Sequence, residues 1–180
     1  MGAAVLIMGP PGSGKTTLIR TVVAALPGRA GGFLTEALRE GDERVGFRVV
    51  TLSGDETLLA HVRGVRGPRV GRYQVDVAGF EATGIAALER AVREADLIVV
   101  DEIGKMELTS PRFLPALEAA LASPKPLFGS ILGSPHPLLD PLKHRSNVEL
   151  YRLSVKNRDD LADAMLARLA TEIRSSPGYS

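Results

Sequence analysis

The sequence predicts an α/β protein: a three-layer α/β/α sandwich in which helices cover both faces of a largely parallel sheet. Three observations predict this class. Short apolar runs alternate with segments of helical spacing along the 180 residues, a glycine-rich segment separates the first run from the first helical segment, and a later apolar run ends directly in two acidic residues. Alternating strands and helices are typical of parallel sheets, because parallel neighbours need a long crossover connection. The length suits one core, so we expect a single domain over residues 1–180, with about the last five residues frayed.

The glycine-rich segment reads Gly9-Pro10-Pro11-Gly12-Ser13-Gly14-Lys15-Thr16 and matches the P-loop pattern G-x-x-x-x-G-K-[ST] at every position. An apolar run at residues 3–8 precedes it and a helical segment at residues 15–26 follows. Glycines let backbone N–H groups surround phosphate oxygens, and the following helix adds its N-terminal dipole. We expect this segment and Thr17 to bind a nucleotide, with Lys15 at the β- and γ-phosphates and the Thr16 hydroxyl on Mg²⁺. A plain turn between strand and helix is the alternative.

The second motif is the apolar run at residues 97–100, followed directly by Asp101 and Glu102. This is the Walker B pattern, a buried parallel strand that ends in carboxylates where ligands of such sheets bind. We expect Asp101 to hold Mg²⁺, directly or through water, and Glu102 to accept a proton from an attacking water. An aspartate that only caps a turn is the alternative interpretation.

Between the two motifs the sequence predicts a β-hairpin and then an irregular segment. Residues 32–39 and 44–52 are strand-like and flank a turn at residues 40–43. The irregular segment, residues 53–79, includes an alternating run at residues 73–77 that predicts a short strand. Within the same segment, four arginines recur at a spacing of three. They form either a solvated surface loop or a mobile loop that delivers an arginine finger to the γ-phosphate. The four residues are Arg63, Arg66, Arg69 and Arg72.

The rest of the chain continues the alternation. We expect a helix over residues 80–95, a helix capped by Ser110, a strand over 126–132, a loop over 133–142, a strand over 148–153 and a helix capped by Asn157. Ser130, near the end of its strand, is either a γ-phosphate sensor or a small packing residue. The histidines lack metal-ligand spacing and are interpreted as surface residues: His61, His136 and His144.

Composition excludes several classes. The chain has no cysteine, which removes disulfides, thiolate nucleophiles and cysteine-based zinc sites. The net charge of +1 and the 4% aromatic content give no sign of a nucleic-acid surface. No apolar run approaches the ~20 residues of a membrane span, and the N-terminus does not read as a signal peptide. We expect a cytoplasmic protein, a monomer or weak homo-oligomer, with no membrane or nucleic-acid partner.

The sequence resembles the family of small stand-alone P-loop nucleoside-triphosphatases, the cancer-related nucleoside-triphosphatase type, from Val5 to about Leu169. The P-loop and residues 101–108, Asp-Glu-Ile-Gly-Lys-Met-Glu-Leu, carry the resemblance most specifically. Further matching segments are residues 32–36, 45–47, 70–76, 80–81 and 157–158. The proline-rich region after Gly133 departs from the family pattern, so nothing is transferred there.

This resemblance implies a RecA-like, additional-strand fold in which another strand separates the Walker B strand from the P-loop strand. It implies Mg²⁺-dependent hydrolysis of nucleoside triphosphates (ATP, GTP, CTP and UTP) with little base discrimination. By position, Glu102, Lys15 and Lys105 act at the phosphates, and Ile103 and Gly104 belong to the nucleotide-binding set. Arg158 flanks the base in this picture; an ion pair with Asp159 or another surface acid is the alternative.

Two other functions use the same P-loop. A nucleotide or small-molecule kinase would share it, but the Asp101–Glu102 pair suits water activation and no acceptor pocket can be read from the sequence. A nucleotide-switched regulatory module, which could be RNA-associated, would hydrolyse slowly. The near-zero net charge and the 4% aromatic content argue against a nucleic-acid surface on it.

Overall fold

The structure is a computed structural model that describes residues 1–176. Nine strands form one sheet within this range, in the order β5-β6-β4-β3-β2-β7-β8-β1-β9. The strands are β1 (Ala4–Met8), β2 (Ala30–Glu40), β3 (Glu43–Thr51), β4 (Glu56–His61), β5 (Arg69–Val70), β6 (Tyr73–Val75), β7 (Leu97–Ile103), β8 (Leu127–Ile131) and β9 (Val148–Arg152). From β2 to β9 neighbouring strands are parallel, whereas β3, β4, β6 and β5 extend the sheet antiparallel.

Helices cover both faces of the sheet. They are α1 (Lys15–Ala25), α2 (Val77–Phe80), α3 (Ala86–Glu94), α4 (Phe113–Ala122), α5 (Asp140–Lys143) and α6 (Arg158–Ser175). One core cluster packs α1 and α6 against the sheet through residues such as Ile19 and Leu169. The other packs α3 and α4 against the opposite face through Leu88 and Leu117. The predicted three-layer α/β sandwich is therefore confirmed.

The strand order determines where the two sequence motifs meet. β8 lies between β7 and β1, as the resemblance implied. The P-loop follows β1, and the two acidic residues stand near the end of β7, so both motifs emerge at the carboxyl edge of the parallel half. Ligands of open parallel sheets bind at this edge. The predicted hairpin, β2–β3, continues the sheet on the far side of β7.

Residues 53–79 are more regular than predicted. They contain β4, β5 and β6, of which β5 and β6 form a short hairpin at the sheet edge. β6 agrees with the short strand predicted at residues 73–77. The Gly and Pro residues that flank β4 and β5 hid those two strands, because both residue types are rare within longer strands. Similarly, α5 lies within the region expected to be a loop. The expected helix at residues 80–95 begins earlier, at Val77, and passes through a π-helical turn over Glu81–Ile85 before α3.

Both predicted helix caps differ from expectation. α4 begins only at Phe113, and the Ser110 hydroxyl instead donates to Glu81 Oε1 while accepting from the Arg112 N–H. Asn157 is the residue before α6, but its side chain accepts a hydrogen bond from the Ser154 N–H rather than from the helix. In each case a nearby donor or acceptor competes with the helix end for the side chain.

At the C-terminus, α6 ends at Ser175, and the N–H of the following Ser176 donates to the Ile173 carbonyl. The remainder of the predicted frayed segment, residues 177–180, lies outside the described residues. None of the helices in residues 1–176 combines the length and apolarity that a bilayer crossing needs.

Candidate active site

The P-loop joins β1 to α1 and depends on two glycines with left-handed backbone angles. Gly12 has φ 78° and Gly14 has φ 92°, values that residues with a Cβ adopt only at a cost. At Gly14 an added Cβ would also lie 2.8 Å from Arg158 Nη2. The loop turns around Lys15, whose Nζ donates to the Gly9 carbonyl at 2.8 Å and to the Pro10 carbonyl at 3.2 Å. The sequence pattern thus folds into a compact loop with the lysine ammonium over it.

Asp101 links the P-loop to β7 and β8. Its Oδ2 accepts a hydrogen bond from Thr16 Oγ1 at 2.6 Å, and its Oδ1 accepts one from Ser130 Oγ. The carboxyl group is buried. Burial raises the pKa of Asp101, while the hydrogen bonds from Ser130 and Thr16 and the charge of Lys15 oppose that rise. Asp101 therefore does more than cap a turn, and Ser130 is a hydrogen-bond partner of Asp101.

Glu102 and Glu107 bring two more carboxyl groups to the same place. Gly104 lies between the two side chains: a Cβ added at Gly104 would be 3.0 Å from Glu102 Oε1 and 3.1 Å from Glu107 Oε2. Burial raises the pKa of Glu102; the Lys15 ammonium opposes the rise and the Asp101 carboxylate adds to it. Burial and the nearby charge of Glu102 raise the pKa of Glu107 to about 8. Sequence reasoning gave Glu107 no role, because nothing in its local pattern shows that this acid is buried.

These groups line a cavity of about 590 Å³. Its size falls within the roughly 300–1,000 Å³ that small-molecule sites occupy. Of the predicted site residues, it is lined by Gly9, Pro11, Gly12, Gly14, Lys15, Thr16, Thr17, Asp101, Glu102, Gly104 and Lys105. Among them, the Lys105 side chain is exposed.

Four predicted nucleotide-binding residues do not line the cavity: Pro10, Ser13, Ile103 and Arg158. Ile103 is fully buried in the core, because its side chain points to the face of the sheet that α3 and α4 cover. Its assignment from the motif is wrong as a side-chain contact. Pro10 and Ser13 act through their backbones: the Pro10 carbonyl accepts from the Ser13 N–H at 3.1 Å, and the Ser13 carbonyl accepts from Arg158 Nη2 at 2.9 Å.

Arg158 therefore supports the P-loop from the start of α6. No ion pair between Arg158 and Asp159, or another acid, occurs in the described structure, so that alternative is wrong. The Nε atom of Arg158 and the hydroxyls of Ser13 and Thr35 are buried without a hydrogen-bond partner among residues 1–176. Such atoms are uncommon in proteins and mark places where a ligand can supply the missing partner.

The four periodic arginines lie outside the cavity lining. Arg63 pairs with Glu40 and Arg72 pairs with Glu43, and all four residues are exposed. This favours the surface interpretation over an arginine finger. Instead, Arg44 lines the cavity; no local sequence pattern indicates this, since its placement depends on the register in which β2 and β3 pair.

A divalent cation with oxygen ligands suits the donors at the inner end of the cavity. The Thr16 hydroxyl and the Asp101 carboxylate are adjacent hard oxygen donors, and Mg²⁺ is commonly held by one or two such groups together with water and substrate phosphates. The histidines take no part, because the Nδ1 atoms of His61, His136 and His144 hydrogen-bond to nearby backbone atoms. Within residues 1–176 no cluster of three His, Cys, Asp or Glu side chains could hold a metal alone.

A complete P-loop hydrogen-bonded to a Walker B aspartate, on a mostly parallel sheet, defines the class of P-loop nucleotide-binding α/β proteins. Comparison with known proteins identifies the family. The chain belongs to the NTPase family, whose model matches residues 4–166. As a member of this family it is an enzyme, a nucleoside-triphosphatase.

Similar proteins cover nearly the whole chain. The nucleoside-triphosphatase THEP1 of Thermotoga maritima is 44% identical over 165 residues, 92% of this chain and 94% of that protein. THEP1 of Methanocaldococcus jannaschii is 34% identical and spans 94% and 99% of the two chains. The crystal structure of THEP1 from Aquifex aeolicus superimposes with a TM-score of 0.85 at 36% identity, covering 92% and 98%. The solution structure of a human cancer-related nucleoside triphosphatase superimposes with a TM-score of 0.75 at 34% identity, covering 95% of this chain and 98% of that one. The family expected from the motifs is confirmed.

Proposed function

We propose that this chain hydrolyses nucleoside 5′-triphosphates to the diphosphate and phosphate, depends on Mg²⁺ and discriminates little among bases. The single observation that carries the proposal is the Thr16–Asp101 hydrogen bond. It joins the P-loop to the end of β7, so that the phosphate-binding backbone, two metal-binding oxygens and Glu102 all face one cavity. This is the set of groups that phosphoryl transfer to water requires.

The residues divide the work between binding and proton transfer. The P-loop N–H groups and Lys15 hold the β- and γ-phosphates, while Thr16 and Asp101 hold the cation. When bound, Mg²⁺ neutralises charge on the phosphate oxygens. Lys105, exposed at the cavity edge, adds a positive charge near the phosphates.

Glu102 is the proposed base. A water oxygen attacks the γ-phosphorus, the bond from that phosphorus to the oxygen bridging to the β-phosphate breaks, and the water proton moves to the Glu102 carboxylate. The raised pKa of Glu102 makes its carboxylate a stronger base, and Lys15 favours the ionised form that can accept a proton. The buried Glu107, with a pKa of about 8, holds its own proton at neutral pH and so does not compete for this role.

Weak base discrimination rests on the surroundings of Arg158. The chain before α6 is open to solvent, with Val155 80% exposed and Ser154 and Lys156 also exposed. Such a surface lets Arg158 stack against any base without the buried donors and acceptors that would reject one. The family resemblance points the same way.

The other expectations stay predictions. A single domain is supported by the one sheet that all nine described strands share. A cytoplasmic location, a monomeric or weakly oligomeric state and the absence of a nucleic-acid partner have no further support. The regulatory-switch alternative gains no observation from the described residues.

The test is phosphate release from ATP, GTP, CTP and UTP, each with Mg²⁺ and with EDTA, and with no other substrate. We expect release from all four at rates of similar magnitude and its loss in EDTA. Release from one nucleotide alone would contradict the proposed substrate range. Tight binding of all four with negligible release would contradict hydrolysis itself.

A further inference from the structure

The cavity extends well beyond the groups that hold a triphosphate. Its inner end consists of the P-loop, Thr16 and Asp101. Its outer end, here called the outer chamber, is lined by Ala37, Arg44, Phe47, Leu59, Val70 and Met106. Four of these six come from the antiparallel extension of the sheet or from β5 beside it. None of them belongs to the P-loop or to the Asp101–Glu102 pair.

The outer chamber lies on the γ-phosphate side of the site. In the sheet, β2, β3 and β4 stand on one side of β7, whereas β8, β1 and β9 stand on the other. Arg158, which supports the P-loop, belongs to α6 and so lies with β1 and β9. A triphosphate held by the P-loop directs its γ-phosphate toward the metal-binding Asp101 at the end of β7. Beyond that point the nucleotide leaves the outer chamber free.

A β-bulge turns Arg44 into this chamber. Residues Ala37 and Phe47 are paired across β2 and β3, as are Arg39 and Arg44, but Val45 has no partner of its own. In a regular strand Arg44 and Phe47, three residues apart, would point to opposite faces. The extra residue puts both on one face, and bulges next to active sites commonly redirect a side chain in this way. As a result, the Arg44 guanidinium lies 5.5 Å from the centre of the Phe47 ring.

The Arg44 guanidinium is held there without an acidic partner. No carboxylate of residues 1–176 forms an ion pair with it, although the adjacent Glu43 pairs with Arg72. Its Nε is buried and has no hydrogen-bond partner in that range. A buried donor of this kind is costly unless a ligand satisfies it, and a carboxylate, sulfonate or phosphate is the group that a guanidinium binds best.

Apart from Arg44, the residues that line the outer chamber are apolar. Leu59 is fully buried, and Phe47 packs edge-on against Tyr73 with ring centres 5.2 Å apart. Val70 and Met106 are partly buried against the same core. The chamber therefore combines an apolar, aromatic-lined wall with one unpaired cation, a combination that suits a small organic anion with an apolar or aromatic body.

We propose that the outer chamber is a binding site for a second small molecule, an organic anion with an apolar or aromatic body, anchored by Arg44 beside the γ-phosphate. This inference rests on the proposed function, because it takes the P-loop end of the cavity to hold the triphosphate. The ligand occupies the position in which the acceptor of a phosphoryl transfer would stand. It thus provides the pocket that the kinase alternative lacked at the sequence level.

The probe is anilinonaphthalene sulfonate (ANS), an aromatic sulfonate whose fluorescence rises in apolar surroundings. It is titrated into the intact protein saturated with Mg²⁺ and adenylyl imidodiphosphate, an ATP analogue that is not hydrolysed. We expect ANS to bind together with the analogue. Arg44→Gln should weaken ANS binding by about tenfold or more, since it removes the charged donor. Ala37→Trp, a substitution at an exposed lining residue, should abolish it by filling the chamber.

Arg63→Gln is the matched control, because Arg63 is an exposed arginine outside the cavity. It should leave ANS affinity unchanged. Displacement of ANS by the analogue, or equal ANS affinity in Arg44→Gln and Arg63→Gln, would overturn the proposal. Phosphate release is measured on the same wild-type preparation. If ATP is hydrolysed but ANS fails these tests, only the second site is refuted; if no phosphate is released, the proposed function itself fails.

Discussion

At the scale of single residues, the site controls how much negative charge collects beside the phosphates. Asp101, Glu102 and Glu107 are three carboxyl groups within reach of one another. If all were ionised, they would repel both each other and a triphosphate. Burial of Glu107 keeps it protonated at neutral pH, with a pKa of about 8. The site then presents two carboxylates, to which the proposed function assigns the cation and the proton of water.

Glu107 should also make stability depend on pH. Its pKa rises from the usual 4.5 to about 8 on folding, so between these values the folded chain holds a proton that the unfolded chain has released. Its contribution to the free energy of unfolding is present below the lower value and is lost as the pH rises through the upper one. Glu107→Gln removes this titration. We therefore expect the variant to gain stability over wild type by up to a few kcal/mol between about pH 5 and about pH 9.

Urea unfolding at about pH 5 and at about pH 9 measures the free energy of unfolding of both proteins. Glu118→Gln, at an exposed acid that pairs with Arg145, is the control and should follow the wild type at both. Parallel pH dependence of wild type and Glu107→Gln would show that Glu107 is ionised in the folded protein.

At the scale of elements, β2 determines how the two halves of the sheet meet. Its first residues pair in parallel with β7 and its later residues pair antiparallel with β3. Gly32 lies within the parallel stretch with φ 111°, and a Cβ there would be 2.0 Å from the Val99 carbonyl oxygen. Only glycine lets β2 approach β7 so closely. This approach places Thr35 and Glu36 at the cavity beside Asp101.

Gly32→Ala should therefore destabilise the protein severely. The substitution adds a steric clash with backbone to the cost of an unfavourable φ. Gly41→Ala is the matched control, because Gly41 also has positive φ, 59°, but open space around it. We expect Gly41→Ala to cost about 1–2 kcal/mol and Gly32→Ala to cost considerably more or to prevent folding. Equal denaturation midpoints for the two variants would contradict the packing described for β2.

Element by element, the sequence predicted what local pattern determines. Apolar periodicity located β1, β7, β8, β9 and the long helices, since burial of each depends on its own residues. It failed for β4 and β5, because glycines and prolines flank these short strands and each depends on a neighbouring strand, β3 or β6, to pair with. It also failed for the Ser110 cap, because Glu81, 29 residues away in sequence, takes the hydroxyl.

The site shows the same division. Lys15, Thr16, Asp101 and Glu102 belong to continuous motifs, so the sequence could assign them. Arg44 and the buried state of Glu107 depend on a bulge and on packing between distant segments, which no local pattern reports. For Ser130 the sequence allowed two interpretations, a γ-phosphate sensor or a small packing residue. The structure shows that its hydroxyl donates a hydrogen bond to Asp101.

At the scale of the whole molecule, nucleotide binding joins elements that are distant in the chain. The P-loop, β7 and α6 meet at one edge of the sheet. A Mg²⁺–nucleotide complex that binds only the folded chain must therefore stabilise the entire fold. With the ATP analogue at a concentration about 100 times Kd, we expect Tm to rise by roughly 5–10 °C.

Lys15→Ala should lose most of this rise, because the proposed function assigns the β- and γ-phosphates to this lysine. Lys125→Ala is the control, since Lys125 precedes β8 at the opposite edge of the sheet and should retain the full shift. Differential scanning fluorimetry with and without Mg²⁺ and the analogue measures both. An undiminished shift in Lys15→Ala would mean that the nucleotide binds elsewhere.

The central claim is that Glu102 is the base that activates water. Its most direct test compares wild type and Glu102→Gln in two assays on the same samples, equilibrium binding of the Mg²⁺–ATP analogue and steady-state phosphate release from ATP. The glutamine keeps the size and shape of the side chain but cannot take the proton. We predict similar Kd values and a loss of about 10²–10⁴-fold in phosphate release, the usual contribution of a general base. A Glu102→Gln enzyme with wild-type turnover would contradict this mechanism.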